Sequence, residues 1–345
     1  MLRSVNELFC SPLFKDGFNS LNYLIPRGPL STTQFFGFEI DLMSDLYTSD
    51  LLLELKPSTA SWFPSPLYCS FGHTGIELNS YLRDCKNLSS RSCLPRNIWL
   101  EFDLRDLVSP SFSSLEPSIF VGPGLGQSFN QVLESTHLIP RIVHQKSYSI
   151  PQSITYRLTQ LEAVFGTPIQ AGFMSSRKNP TFRFVFKVPR LYSVYQLSTD
   201  FPEIQFSSIN LKLLHSLFIF FDSSCFGIEF DLNGTLLPNF GHELYTPWFN
   251  SKFLHESLDF LLDAFPLNQN KINFLRNSIS CFRKPSDFIF PPDNGCPFWS
   301  PFTQIFTHHF KVGFSASDLS LKAYLGVISP QLTFDSLGSV TVADS

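Results

Sequence analysis

Near the carboxyl end, the stretch DLSLKAYLGV sets Lys322 and Tyr324 two residues apart. On an extended strand that spacing turns an ammonium and a phenol to one face, with Leu321, Ala323 and Leu325 on the other. The run before it, QIFTHHFKVGF, carries His309 and Lys311 at the same spacing, and TFRFVFKV puts Arg183 and Lys187 on one face. Ammonium, guanidinium, imidazole and phenol groups held together form a surface that binds an anion. A second set is acidic. GFEIDL (37–42), WLEFDL (99–104) and GIEFDL (227–232) each alternate apolar with acidic residues. Their period of 2 predicts strands with Glu39 and Asp41, or Glu229 and Asp231, on the polar face. Carboxylates gathered in this way are suited to orienting a substrate or to holding a divalent metal.

These groups can act together only if the strands bearing them converge. The glutamates at 39, 101 and 229 are spaced so that the second gap is about twice the first. This suggests a repeat of about 60–65 residues with a degenerate copy between. Further copies would then fall at PIQAGFM with TFRFVFKV, and at QIFTHHFKVGF with LSLKAYLGV. Partners for the acidic strands are read as LLLELK, PSIFV and, for 227–232, the preceding KLLHSLFIFF. The total is five antiparallel hairpins. Between them the period changes to that of helices, in GQSFNQVLESTH, in PQSITYRLTQLEAVF (started by Pro151), in NSKFLHESLDFLLDAF (capped by Asn250) and in NQNKINFLRNSISCF. The fold class is therefore α+β, with five hairpins alternating with helices. From the pattern alone two architectures remain. One is a closed ten-stranded barrel with the polar faces lining a hollow, since ten strands exceed the eight or so whose side chains fill the interior. The other is a two-layer sandwich with its acids turned to water. No linker divides the chain, so 1–345 is read as a single domain with irregular loops at 57–95 and 284–301.

Composition bounds the function. The 345 residues are 43% hydrophobic and only 16% charged, against an average near 25%. Phenylalanine, at 39 copies, is expected to fill a β-rich core or an apolar pocket. A net charge of −4 without a basic run disfavours nucleic acid. No apolar run is long enough for a membrane span, and the amino end lacks a signal-peptide core. Seven scattered cysteines without metal-type pairing read as reduced thiols, so a cytoplasmic location is expected. Phosphate-loop, nucleophile-elbow, HExxH and DDxxD patterns are absent, and GPGLGQ (122–127) lacks the context of a dinucleotide site. The adjacent His308 and His309 are expected on opposite faces of their strand, unable to share one metal.

Hairpin-and-helix repeats, the late Lys-x-Tyr strand LKAY and the strands GFEI and GIEF resemble the ABBA prenyltransferases. The resemblance implies the ten-stranded barrel wrapped by helices, and transfer of an isoprenyl group from an allylic diphosphate to an aromatic or peptide acceptor. By position, Lys322 and Tyr324 match the family's diphosphate-binding and cation-shielding strand, and Glu39 matches the early acid that orients the acceptor. Strand parity adds Lys311, His309, Arg183 and Lys187 as substrate-binding groups, with Glu229 and Asp231 on the acidic side. No metal ligand is assigned. The acids would repel a diphosphate unless Mg²⁺ or the cationic groups offset them, so Mg²⁺ is the one cofactor expected. The competing reading is a non-catalytic protein that holds a peptide or apolar ligand in a Phe-rich cavity.

Overall fold

Strand pairing decides between the two architectures. The computed structural model describes residues 35–45, 49–55, 97–103, 117–122, 150–175, 177, 179–189, 193–204, 206–221, 224–245, 251–279, 304–315, 319–328, 332–334 and 340–342. Its strands are β1 (Phe35–Asp41), β2 (Ser49–Leu55), β3 (Asn97–Phe102), β4 (Ser118–Gly122), β5 (Gln170–Phe173), β6 (Phe182–Lys187), β7 (Ser224–Phe230), β8 (Leu236–Tyr245), β9 (Gln304–Phe314) and β10 (Leu319–Ile328). Each pairs antiparallel with its sequence neighbours, and β1 pairs with β10 from Phe36↔Val327 to Asp41↔Lys322. The sheet thus closes into a ten-stranded barrel of the ABBA type, and the sandwich is excluded. A separate two-stranded ribbon joins β11 (Leu332–Phe334) to β12 (Val340–Val342).

Five helices are described: α1 (Gln152–Phe165), α2 (Val194–Asp200), α3 (Ser208–Phe220), α4 (Ser251–Ala264) and α5 (Gln269–Ile279). Helix α1 starts at Pro151, as read from the sequence, and buries Ile154, Leu158, Leu161 and Phe165 as one stripe. Its first turn is closed by the Ile154 amide on the Pro151 carbonyl at 3.0 Å. Helix α5 is tied to the barrel by Lys271, whose Nζ donates to the carbonyls of Asp41 and Ser44, each at 2.6 Å. The helix at 126–137, the cap Asn250 and both irregular loops lie outside the described residues.

One hairpin differs from expectation. The run KLLHSLFIFF forms α3 rather than a strand, capped by Ser207, whose hydroxyl accepts from the Asn210 amide at 3.1 Å. A continuous apolar run has no period that separates strand from helix, and here the N-cap decides. The true partner of β7 is β8, reached through a turn at Asp231–Thr235. Gly234 takes a φ of +87° there, and the Asp231 carboxylate accepts from the Asn233 and Thr235 amides at 2.9 and 2.8 Å.

The main core lies between the outer face of the barrel and the helices. Phe38, Phe102, Phe173, Phe182, Phe184, Phe186, Phe226, Phe230 and Phe240 are all fully buried. Ring contacts run from Phe165 of α1 to Phe226 (4.6 Å between centroids), and from Phe226 to Phe186 and Phe240, each at 5.5 Å. Among the described residues the phenylalanines chiefly join barrel to helices, the β-rich core expected of them, while Phe120 and Phe306 turn to the hollow.

His242 of β8 points into the same outer layer. It is fully buried, stacked on Phe218 of α3 at 4.5 Å, and neither ring nitrogen has a hydrogen-bond partner. Burial pushes its pKa down to about 3. The unfolded ring binds a proton below about pH 6.5, whereas the native ring stays neutral until about pH 3. Stability from this site is therefore complete above that upper value and is lost as the pH falls toward the lower one. Wild type should lose on the order of 3 kcal/mol more than a His242→Leu variant between pH 7 and pH 4. Chemical denaturation across that range measures the difference, and parallel curves would refute the assignment.

Candidate functional site

Side chains of the opposite parity fill the barrel lumen and divide it into two chambers. The smaller, of about 200 Å³, lies toward the end where the hairpins turn. Its wall includes Arg177, Arg183, Lys311 and Lys322, with Glu229 as the acid among its lining residues. The larger, of about 500 Å³, lies toward the end where the helical connections join the barrel. It is walled by Trp99, Phe120, Tyr245, Phe306, His308, His309 and Tyr324, with Glu54, Glu101 and Glu243 among them. Arg183 lines both chambers.

A belt of ion pairs runs through the lumen, buried at Arg183 and Glu243 and partly exposed at Arg177 and Lys322. Arg183 reaches across β7 to donate to Glu243 of β8 at 2.9 Å, and both side chains are more than nine-tenths buried. The close approach needs glycine beneath it. A Cβ on Gly227 would sit 3.0 Å from Arg183 Nε, and one on Gly241 would sit 3.3 Å from Lys311 Cε. Arg177 pairs with Glu229 at 2.5 Å, and Thr181 donates to the same carboxylate at 3.4 Å. At the β1–β10 seam, Lys322 and Tyr324 both donate to Glu39, which is 1% exposed. Among the described residues Lys311 makes no carboxylate pair and donates instead to the Tyr324 hydroxyl at 3.4 Å.

These contacts set the protonation states. Burial alone would raise Glu39, but Lys322 and then Lys311 outweigh it and hold the carboxyl far below its ordinary range. Glu229 is likewise lowered, with Arg177 and Arg183 overcoming its burial. Burial pushes Lys311 down to about 8, helped by the neighbouring Arg183 and opposed by Glu39. Burial, assisted by the charge on Glu39, raises Glu101. His308 is pushed down to about 4 by burial, and His309 falls well below its usual value for the same reason.

The structure brings together most of the groups singled out in the sequence. Lys322, Lys311, Arg183, Tyr324, Glu39 and Glu229 converge in the lumen. His309 is there too, but as a neutral ring stacked on Tyr324 at 4.1 Å in the aromatic chamber, away from the cationic one. Two of the candidates stand apart. Lys187 sits at the exposed end of β6, and Asp231 closes the β7–β8 turn with its carboxylate on backbone amides. Glu39, the acid expected to orient the acceptor, has both its oxygens bound by Lys322 and Tyr324.

His308 and His309 overturn another expectation. A β-bulge shifts the register from Tyr324↔His309 to Leu325↔Thr307, so His308 is the extra residue and both imidazoles face the larger chamber. Their Nδ1 atoms lie 2.7 Å apart, one donating and the other accepting. Sequence reading also missed Glu243, Tyr245 and Trp99 as lumen groups. For the first two the overlooked signal was Asn233-Gly234, which marks β8 as the partner of β7. No three His, Cys, Asp or Glu side chains cluster as a metal site among the described residues.

No protein-family model matches the chain, and no curated protein matches it. Among solved structures, the crystal structure of AnaPT from Neosartorya fischeri is similar to it. The two share 12% sequence identity with a TM-score of 0.40, over 85% of this chain and 76% of that one. Among the described residues no helix is long and apolar enough to cross a membrane.

Removing one member of the belt leaves its partner charged and unpaired. Arg183→Met should cost roughly 3–5 kcal/mol, and the double variant Arg183→Met/Glu243→Gln should recover most of that loss. Urea titration of both variants measures the coupling, and equal losses would show that the pair is not energetically linked.

Proposed function

We propose that the protein transfers an isoprenyl group from an allylic diphosphate to an aromatic or peptide acceptor inside the barrel. The supporting observation is the segregation of charge along the barrel axis, with four basic side chains around the smaller chamber and an aromatic wall around the larger. The diphosphate occupies the small chamber, where Arg183, Lys311 and Lys322 face the charge that develops as the C1–O bond breaks. The electron pair of that bond leaves with the diphosphate. Tyr324 and Trp99 present ring faces to the allyl cation, whose charge their quadrupoles stabilise without forming a bond. The acceptor's electron pair then bonds to C1. The proton it displaces passes to the released diphosphate, because Glu39 is held too acidic to take it.

In this reading Glu39 is a positioning residue. It fixes Lys322 and Tyr324 at the boundary between the chambers, two residues that a flexible side chain would not hold in one geometry. Lys311 is the cation most open to a new anion, since its partner is a neutral phenol. The larger chamber, at about 500 Å³, falls within the usual range for small-molecule sites, which leaves room for an isoprenyl chain beside an aromatic ring.

A second reading draws on the ion pairs themselves. Because Arg177, Arg183 and Lys322 already hold carboxylates, the lumen also suits a protein that binds an apolar ligand without chemistry. Lys311→Met separates the two, because it removes a charge without orphaning an acid. Dimethylallyl diphosphate should raise the melting temperature of the wild type by a few degrees at saturating concentration, and Lys311→Met should erase most of that shift. Lys322→Ala should cut transfer to an indole acceptor, followed by mass spectrometry, by about 10²–10³-fold. An unchanged wild-type melting curve with the diphosphate would refute transfer and leave the binding reading.

A further inference from the structure

The larger chamber holds a pair of imidazoles that the transfer reading does not use. In a regular strand His308 and His309 would face opposite ways, but the bulge in β9 turns both to the chamber. Their Nδ1 atoms meet at 2.7 Å, with the ring centres 5.0 Å apart and the planes at 75°. At this separation one ring's N–H points at the other's lone pair, so a single proton lies between the two nitrogens. Neighbouring rings hold the pair in place. His309 stacks on Tyr324 at 4.1 Å, and the Tyr245 ring lies 5.6 Å from His308 and 5.1 Å from His309.

We infer that His308 and His309 form a chelating pair for a transition-metal ion, with zinc the ion their spacing fits. Two imidazoles on one tetrahedral zinc, with bonds of about 2.0 Å, set their nitrogens about 3.3 Å apart and their ring centres about 5.2 Å apart. The ring centres thus already stand where zinc needs them, and a turn of each ring by about 35° aims both Nδ1 lone pairs at the ion. The donor ring moves its proton from Nδ1 to Nε2, so both imidazoles stay neutral and no proton is lost. Charge does not select the ion. Glu243 favours positive charge at His308 and Glu39 favours it at His309, while Lys311 and Arg183 oppose it at His309. Affinity must therefore come from the nitrogen bonds themselves. That favours Zn²⁺, Ni²⁺ and Cu²⁺ and rejects Mg²⁺ and Ca²⁺, whose ligands are oxygens. The chamber of about 500 Å³ leaves room for water to complete the coordination. The metal site stands independently of the transfer reading.

The test is calorimetric titration of the full chain, stripped of metal with a chelator, against zinc chloride and separately against magnesium chloride. The wild type should take up about one equivalent of zinc that the double variant His308→Phe/His309→Phe lacks, and magnesium should not bind there. Each single variant should weaken that equivalent by at least about tenfold. Co²⁺ in place of zinc should give the wild type the intense visible absorption of a tetrahedral ion, and the double variant should lack it. If the phenylalanine variants fail to fold, His308→Gln and His309→Gln carry the same comparison with a polar group retained. Equal zinc binding by wild type and variants overturns the inference, because other histidines would then hold the ion. An octahedral Co²⁺ spectrum, or magnesium binding that the variants abolish, also overturns it. Zinc uptake that depends on the two histidines, with no effect of dimethylallyl diphosphate on the melting curve, would refute transfer and keep the metal site.

Discussion

Closing a sheet leaves each strand residue only two directions to point, inward or outward. Ten antiparallel strands closed into one sheet therefore commit a whole set of side chains to the lumen, and in this chain the set contains most of the chemistry. Six carboxylates and bases meet there as pairs: Arg183 with Glu243, Arg177 with Glu229, and Lys322 with Glu39. Each charge taken from water would be costly alone, so each acid of these pairs is matched by a base, from another strand for Glu39 and Glu243 and from the β5–β6 connection for Glu229. The glycines follow from the same constraint. Arg183 crosses β7 directly over Gly227, where a Cβ would sit 3.0 Å from its Nε and crowd the guanidinium, which gives a steric reason for the glycine in the strand GIEF.

The outer face obeys the complementary rule. With polar groups committed inward, the outward positions are free to be apolar, and large rings occupy them against α1, α3 and α4. A wide barrel cannot be stabilised by filling its centre, so the core moves to the layer between strands and helices. The phenylalanine content makes sense on these terms. The rings hold rigid a shell whose inside stays hollow, and that rigidity keeps the ion-pair belt in register.

Much of this was legible in the sequence, and the reasons for the gaps are physical. Period-2 alternation at 37–42, 99–104 and 227–232 located three strands and the direction of their glutamates, because alternation is what a two-faced strand requires. The Lys-x-Tyr spacing likewise placed Lys322 and Tyr324 in the lumen. Strand ends were harder. Asp231 and Lys187 share the parity of lumen residues but stand at strand ends, Asp231 just past β7 and Lys187 as the last residue of β6, still in register with Cys225. One answers to the turn and the other to solvent. The bulge at His308 was invisible because a single inserted residue reverses parity without a compositional mark. The run KLLHSLFIFF at 212–221 was misassigned since an apolar stretch fits a strand and a buried helix alike. The Asn-Gly pair that would have settled the issue lay just downstream.

The seam between β1 and β10 links folding to the site. Glu39 lies near one end of the chain and Lys322 and Tyr324 near the other, so their contact forms only when the barrel has closed. Until then a carboxylate, an ammonium and a phenol face water separately, with no reason to converge. Closure brings Lys322 and Tyr324 onto one acid and, through Tyr324, positions Lys311 as well. A barrel opened at this seam would lose its belt and the boundary between its chambers together. The last and most distant contact in sequence is therefore the one that makes two chambers out of a single hollow. It also explains why the late Lys-x-Tyr strand and the early glutamate had to be read as one feature rather than two.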